Sequence, residues 1–156
     1  MSLQSALADL ESKIGSETHV SDWFTISQER IQQFADATED QQWIHVNVER
    51  AQTHSPFGGP IAHGFLTLSL IPYLTGGVDP DKPEYPEAKM GVNYGLNRVR
   101  FPNPVHVGSR VRARTSLLSA EEVKGNGIQI VRQVTIEIEG QPKPGCVAET
   151  VTRLYF

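Results

Sequence analysis

The chain holds one cysteine, Cys146, in 156 residues. An internal disulfide is therefore excluded, and the composition suits a reducing compartment. No apolar run approaches the roughly 18 residues that a membrane-spanning helix needs. The first residues lack the basic start and apolar core of a secretory leader, so a cytoplasmic location is expected. Basic clusters are missing as well. Lys and Arg total 14 against 18 Asp and Glu, for a formal net charge of -4. A mildly acidic chain without a basic stripe has no means of tracking a phosphate backbone, which argues against a nucleic-acid partner. There is no internal repeat, no low-complexity tract and no Gly-rich phosphate loop.

What is present suits one folded domain over 1–156. The length supports a real core, and 38% hydrophobic with 21% charged residues is ordinary for a globular chain rather than a disordered one. Leu3, Leu7, Leu10 and Ile14 recur at near-helical spacing and Gly15 follows as a stop, so residues 3 to 14 predict an amphipathic helix. His19 to Ile26 predicts a short strand. Ser27 is a natural N-cap for a helix over 28–38 with Ile31, Phe34 and Ala35 on its apolar face. From residue 88 the pattern changes to strands. Lys89 to Phe101 forms one, with a bulge expected at Gly95. In Ser109 to Ser119, Val111, Ala113, Thr115 and Leu117 alternate with Arg110, Arg112 and Arg114. Lys124-Gly125-Asn126-Gly127 is a hairpin signal. Ile128, Ile130, Val134, Ile136 and Ile138 then share one face, interrupted by Arg132, and Cys146 to Phe156 supplies a last strand.

Between these halves lies the stretch from Phe34 to Leu74. It carries an acid and an imidazole, Asp40 and His45, five residues apart. Phe57-Gly58-Gly59-Pro60 then turns the chain into an apolar segment, expected to be a helix over about 62–71 that is buried on all faces and kinked or ended by Pro72. Thr75 to Glu87, with Gly76-Gly77 and three prolines, reads as a mobile loop or lid. Pattern alone gives an α+β class, with a one-sided antiparallel sheet that needs the apolar helix as its filler.

Asp40-Gln41-Gln42-Trp43-Ile44-His45 and the downstream Ile61-Ala62-His63-Gly64-Phe65 resemble the MaoC-like, or hydratase 2, family of (R)-specific enoyl-CoA hydratases. The family motif is Asp-x-Asn-Pro-x-His followed by a His-Gly pair opening a buried helix. Gln42 stands here for the usual Asn and Trp43 for the usual Pro. This variant is similar to the nodulation-protein-N-like branch, and the likeness runs on through Asn93 to Pro102. The resemblance implies a hotdog fold, a curled antiparallel sheet wrapped around a central helix, and at least a homodimer. It also implies an acyl-CoA thioester substrate in fatty-acid metabolism, with coenzyme A as part of the substrate and no separate cofactor.

Hydrating an enoyl thioester needs an oriented, partly deprotonated water, a proton for C2 and stabilisation of charge on the thioester oxygen. Asp40 and His45 can supply the first two, in an order the sequence leaves open. An orphan amide at the start of the buried helix, at Gly64, can supply the third. Asp40, His45 and Gly64 are thus the catalytic candidates. Gln42, Ala62, His63 and Phe65 are the candidate substrate contacts. Each has a plainer reading: Asp40 as a solvated loop acid, His45 as a core histidine, Gln42 as filler, His63 as a helix-start hydrogen-bonder, Phe65 as core. Arg98, Arg100, Arg110, Arg112 and Arg114 could meet the phosphates of coenzyme A, though their default is a solvated strand face. A metal is not expected: His45, His54 and His63 fall nine apart rather than at i, i+4, and no cysteine joins them. The rivals to a hydratase are a hotdog thioesterase and a non-catalytic acyl-CoA-binding subunit.

Overall fold

The computed structural model describes residues 2–156. Six strands form one antiparallel sheet: β1 (Glu17–Val20), β2 (Phe24–Thr25), β3 (Met90–Arg100), β4 (Arg110–Val123), β5 (Gly127–Ile138) and β6 (Cys146–Tyr155). Their order is β1-β4-β5-β6-β3, with β2 also pairing β4. Among the described residues six helices precede the long strands: α1 (Leu3–Lys13), α2 (Gln28–Thr38), α3 (Trp43–Val46), α4 (Val48–His54), α5 (Gly64–Ser69) and α6 (Ile71–Leu74). This is the hotdog arrangement, an open sheet curled over a central helical segment.

The strand pattern follows the sequence closely. Val111, Ala113, Thr115 and Leu117 are all buried, and so are Ile128, Ile130, Val134, Ile136 and Ile138. The β3 register slips between Asn93 and Gly95 and again between Leu96 and Arg98, as a bulge at Gly95 requires. The β4–β5 hairpin turns with positive φ at Gly125 and Asn126, which matches the right-handed twist of its strands. The expected strand over 19–26 is instead two short pieces, β1 and β2, both held by β4.

The covered face of the sheet carries two apolar clusters. Leu66, Leu70, Ile71 and Leu74 of the central helices pack with Ile26 and Ile31 on Val111, Ala113, Val134, Ile136, Cys146 and Ala148. Leu3, Ala6 and Leu10 of α1 pack with Tyr85 on Leu117, Ile128 and Ile130. Arg132 falls between the clusters on β5, and its guanidinium pairs with Glu84 at 2.8 Å. The interruption in the apolar parity of β5 therefore marks the place where one cluster gives way to the other.

The central helix departs from expectation in two ways. It breaks at Leu70, and Pro72 sits in the first turn of α6, where the missing N–H costs nothing. It is also not buried on all faces. Phe65 is 67% exposed and Tyr73 is exposed as well, so part of its apolar surface faces outward. The stretch 75–87 has no regular element. Its later part is tied down, because Tyr85 is buried against α1 and its hydroxyl donates to Asp9 Oδ2 at 3.0 Å. Burial, together with nearby Glu84 and Asp9, pushes the Tyr85 phenol well above its ordinary value, so it stays a donor.

The sheet predicts what Tyr85 contributes. Tyr85→Phe should cost about 1 kcal/mol, the net worth of one hydrogen bond. Tyr85→Ala should cost roughly 3–5 kcal/mol by opening a cavity over Leu117 and Ile130. Urea unfolding measures both, and equal losses would contradict the packing role of the ring.

Candidate active site

The site is built by a lock between two distant segments. Asn47 and Trp43 close the short helix α3, which carries Ile44 and His45 inward. The Gly58 turn, with φ of 76°, lets the chain reverse toward it. Ile61 N–H then donates to the Ile44 carbonyl at 3.1 Å. The Ile61 carbonyl accepts from His45 Nδ1 at 2.7 Å. The same segment is held from its other side, where Val107 N–H donates to Pro60 and Ala62 N–H donates to Val105, at 3.1 and 2.8 Å. Gln28 of α2 adds a donor to the His45 carbonyl at 2.8 Å.

Because a carbonyl can only accept, His45 Nδ1 carries the proton and Nε2 keeps its lone pair. His45 is 6% exposed. Burial drives its pKa below the ordinary histidine value, and neighbouring His63 adds to this; the Ile61 carbonyl and Asp40 oppose it in part. The side chain is thus a neutral base with a free lone pair at neutral pH.

His63 caps α5 and is 2% exposed. Its ring stacks on His45 with centroids 3.9 Å apart and lies 5.0 Å from the Phe34 ring. Its Nε2 donates to the Asp40 backbone carbonyl at 3.0 Å, while Nδ1 is buried with no hydrogen-bond partner. Asp40 itself is exposed, at the end of the turn that follows the left-handed Glu39. One Asp40 carboxylate oxygen and one nitrogen from each of His45 and His63 lie within 4.8 Å of one another. The spacing argument that set His45 and His63 apart therefore fails in space, since the Ile44–Ile61 lock brings them together. His54 does not join them; it lies exposed at the end of α4 and bonds Thr53.

The remaining candidates divide. Gln42 works through its backbone, its N–H reaching Asp40 Oδ1 at 3.4 Å and its carbonyl accepting from His45 N–H, while its side chain is exposed. Gly64 opens α5. Among the described residues, the amides of Gly64 and Phe65 carry no hydrogen bond, as the first amides of a helix do not. A Cβ on Gly64 would meet the Phe101 ring at 2.9 Å. Phe65 points outward, edge-on to Phe101 at 6.1 Å. Ala62 and Gly64 line a cleft of about 250 Å³ together with Phe57, Thr67, Phe101 and Val105. Neither Asp40 nor His45 lines it, so the catalytic and substrate candidates divide between a polar cluster and an apolar cleft that share the Ile61–Gly64 segment.

Among the described residues, three of the five strand arginines form ion pairs, while Arg100 donates to the Val99 carbonyl at 2.7 Å. Arg110 pairs with Glu139, Arg112 with Glu137, and Arg114 with both Glu137 and Glu17, which makes a solvated ion-pair face of β4. Gln28, Phe34 and the Ile61 carbonyl are the contributors that sequence reasoning missed. A carbonyl leaves no signal in a residue pattern, and Phe34 read simply as core.

The family model described as the MaoC like domain matches residues 9–139. The 3-hydroxyacyl-thioester dehydratase Z of Mycobacterium tuberculosis is 49% identical over 148 residues, covering 95% of each chain. Nodulation protein N of Rhizobium leguminosarum bv. viciae is 46% identical over 151 residues, covering 97% of this chain and 92% of that one. Among solved structures, the monoamine oxidase regulatory protein of Archaeoglobus fulgius superposes with a TM-score of 0.78 at 23% identity, covering 93% and 92% of the two chains, and shares the fold. With the family model spanning most of its length and near-half identity to full-length relatives, this chain belongs to the MaoC-like dehydratase family.

Proposed function

We propose that the protein adds water reversibly, and syn, across the double bond of a trans-2-enoyl-CoA to give a (3R)-3-hydroxyacyl-CoA. The observation that carries this is the Asp40 carboxylate and the His45 imidazole, which lie within 4.8 Å of one another next in space to His63, the residue that precedes two unpaired helix-start amides. A relative named as a 3-hydroxyacyl-thioester dehydratase supports the same chemistry in reverse.

In this mechanism Asp40 holds one hydrogen of the water and His45 Nε2 takes the other. The water oxygen bonds to C3, and the π electrons move through C2 toward the thioester oxygen. The amides of Gly64 and Phe65 stabilise that oxygen, a contribution worth roughly a hundred- to thousand-fold in rate per donor. The proton on His45 then passes to C2 from the side on which the oxygen entered, which makes the addition syn. The apolar cleft beside Gly64 suits the acyl thioester.

The active form is a homodimer in this reading. β3 is a sheet edge whose residues are exposed on both faces apart from half-buried Val99. Met90, Val92, Tyr94 and Leu96 line it, and Phe65 and Phe101 add exposed apolar surface. A long bare edge of this kind invites pairing with a second copy.

Three outcomes test the proposal. With crotonyl-CoA, the enoyl absorbance should fall without release of free thiol; thiol release would make the protein a thioesterase instead, and no change would leave only binding. Asp40→Asn and His45→Ala should each lower kcat by at least roughly a hundred-fold, and the double variant should be far less than multiplicatively worse. A near-normal rate in either single variant would move the chemistry elsewhere. The depressed His45 pKa sets the pH dependence. The base is needed neutral, so kcat/KM should fall only as pH drops below the ordinary histidine range, and a limb at or above that range would contradict the assignment.

A further inference from the structure

We propose that Asp40, His45 and His63 together bind one divalent transition-metal ion, zinc being the best match. We further infer that the ion inhibits the enzyme by taking the place of the reacting water. The inhibition rests on the hydratase reading above; the binding does not.

Three independent features point to a cation. The donor atoms are already gathered, one from each residue, within 4.8 Å of one another. Ligands about 2.0 Å from a tetrahedral zinc are separated by roughly 3.3 Å, so closure requires movement of an ångström or so. Asp40 can make that movement, since it is exposed and, among the described residues, its carboxylate accepts only the 3.4 Å approach of the Gln42 amide.

The imidazoles are also prepared as ligands. Each is held through one nitrogen by a backbone carbonyl: His45 Nδ1 by Ile61 and His63 Nε2 by Asp40. Bonds of this kind fix the tautomer and orient a metal-binding ring. They leave the lone pairs on His45 Nε2 and His63 Nδ1. The His63 Nδ1 lone pair is the more telling, because the residue is 98% buried and that nitrogen has no partner. Hydration as described uses His45 and Asp40 and leaves this acceptor idle, while an incoming cation would satisfy it.

The donor set decides the metal. Two imidazoles and one carboxylate suit zinc, copper or nickel over magnesium or calcium, which prefer shells of oxygen. Three protein donors with an exposed side at Asp40 leave a fourth position open to water. An ion seated there would hold the His45 lone pair that the reacting water needs.

Cobalt(II) added to the metal-free protein tests this through its visible d–d absorption, with no substrate present. The expected result is one cobalt per chain, displaced by zinc, with affinity weakened at least about tenfold in both Asp40→Asn and His63→Gln. His63 is buried and its variant could disturb the fold, but Asp40→Asn lies on the surface and keeps the test decisive. Zinc should also lower the apparent kcat with crotonyl-CoA, and a chelator should restore it. Absence of d–d bands at millimolar cobalt, or bands unchanged in both variants, would overturn the site. An active enzyme that ignores cobalt would overturn the site and leave the hydratase reading intact. An inactive protein that binds cobalt as described would do the reverse.

Discussion

The hydrogen bond from His45 Nδ1 to the Ile61 carbonyl, 2.7 Å long and buried, is the contact on which the rest of the site depends. It ties the short helix that carries the imidazole to the strand-like segment that leads into the central helix. It fixes which ring nitrogen bears the proton, and so which one is free. Its partner bond, from Ile61 N–H to the Ile44 carbonyl, makes the join two-sided. Remove this lock and His45 loses its orientation, His63 loses its stacking partner, and the start of α5 loses its register against the acid.

The sheet supplies the rigid backing for that lock. Residues 60–62 are pinned to Val105 and Val107 on one side and to α3 on the other, so the segment cannot drift. Below it, Leu66 and Leu70 are anchored in the apolar cluster over β4, β5 and β6. The orphan amides of Gly64 and Phe65 are held in place by this packing rather than by helix stability, since a six-residue helix is not stable alone. The exposed Phe65, Tyr94 and Leu96 mark where that packing stops.

Much of this was legible in the residues, and the boundary has a physical cause. The strands of the second half announced themselves because their inward parity repeats every two residues, and it held for the buried side chains Val111, Ala113, Thr115 and Leu117 of β4 and Ile128, Ile130, Val134, Ile136 and Ile138 of β5. The α2 helix was readable from Ser27, whose hydroxyl does accept from Arg30 N–H at 3.1 Å. The Asp40–His45 spacing was readable because both belong to one local turn. The stacking of His45 on His63 was not, since the rings are brought together by main-chain bonds between remote segments, and main-chain bonds are silent in a sequence. The exposure of Phe65 was hidden for a different reason: an apolar stripe that faces outward has the same pattern as one that faces the core. Arg132 read as a defect in its strand because Glu84, which pairs with it, lies 48 residues away.

Chemistry and fold thus meet in one tautomer. A neutral His45 with its lone pair on Nε2 can accept a proton from water beside Asp40, whereas the opposite tautomer would present an N–H there and could not. Nitrogen-15 NMR of the histidine ring, recorded on the free protein at neutral pH, reads this directly. The account predicts a neutral His45 protonated at Nδ1, with Nε2 bare. A charged ring, or a neutral ring protonated at Nε2, would contradict it.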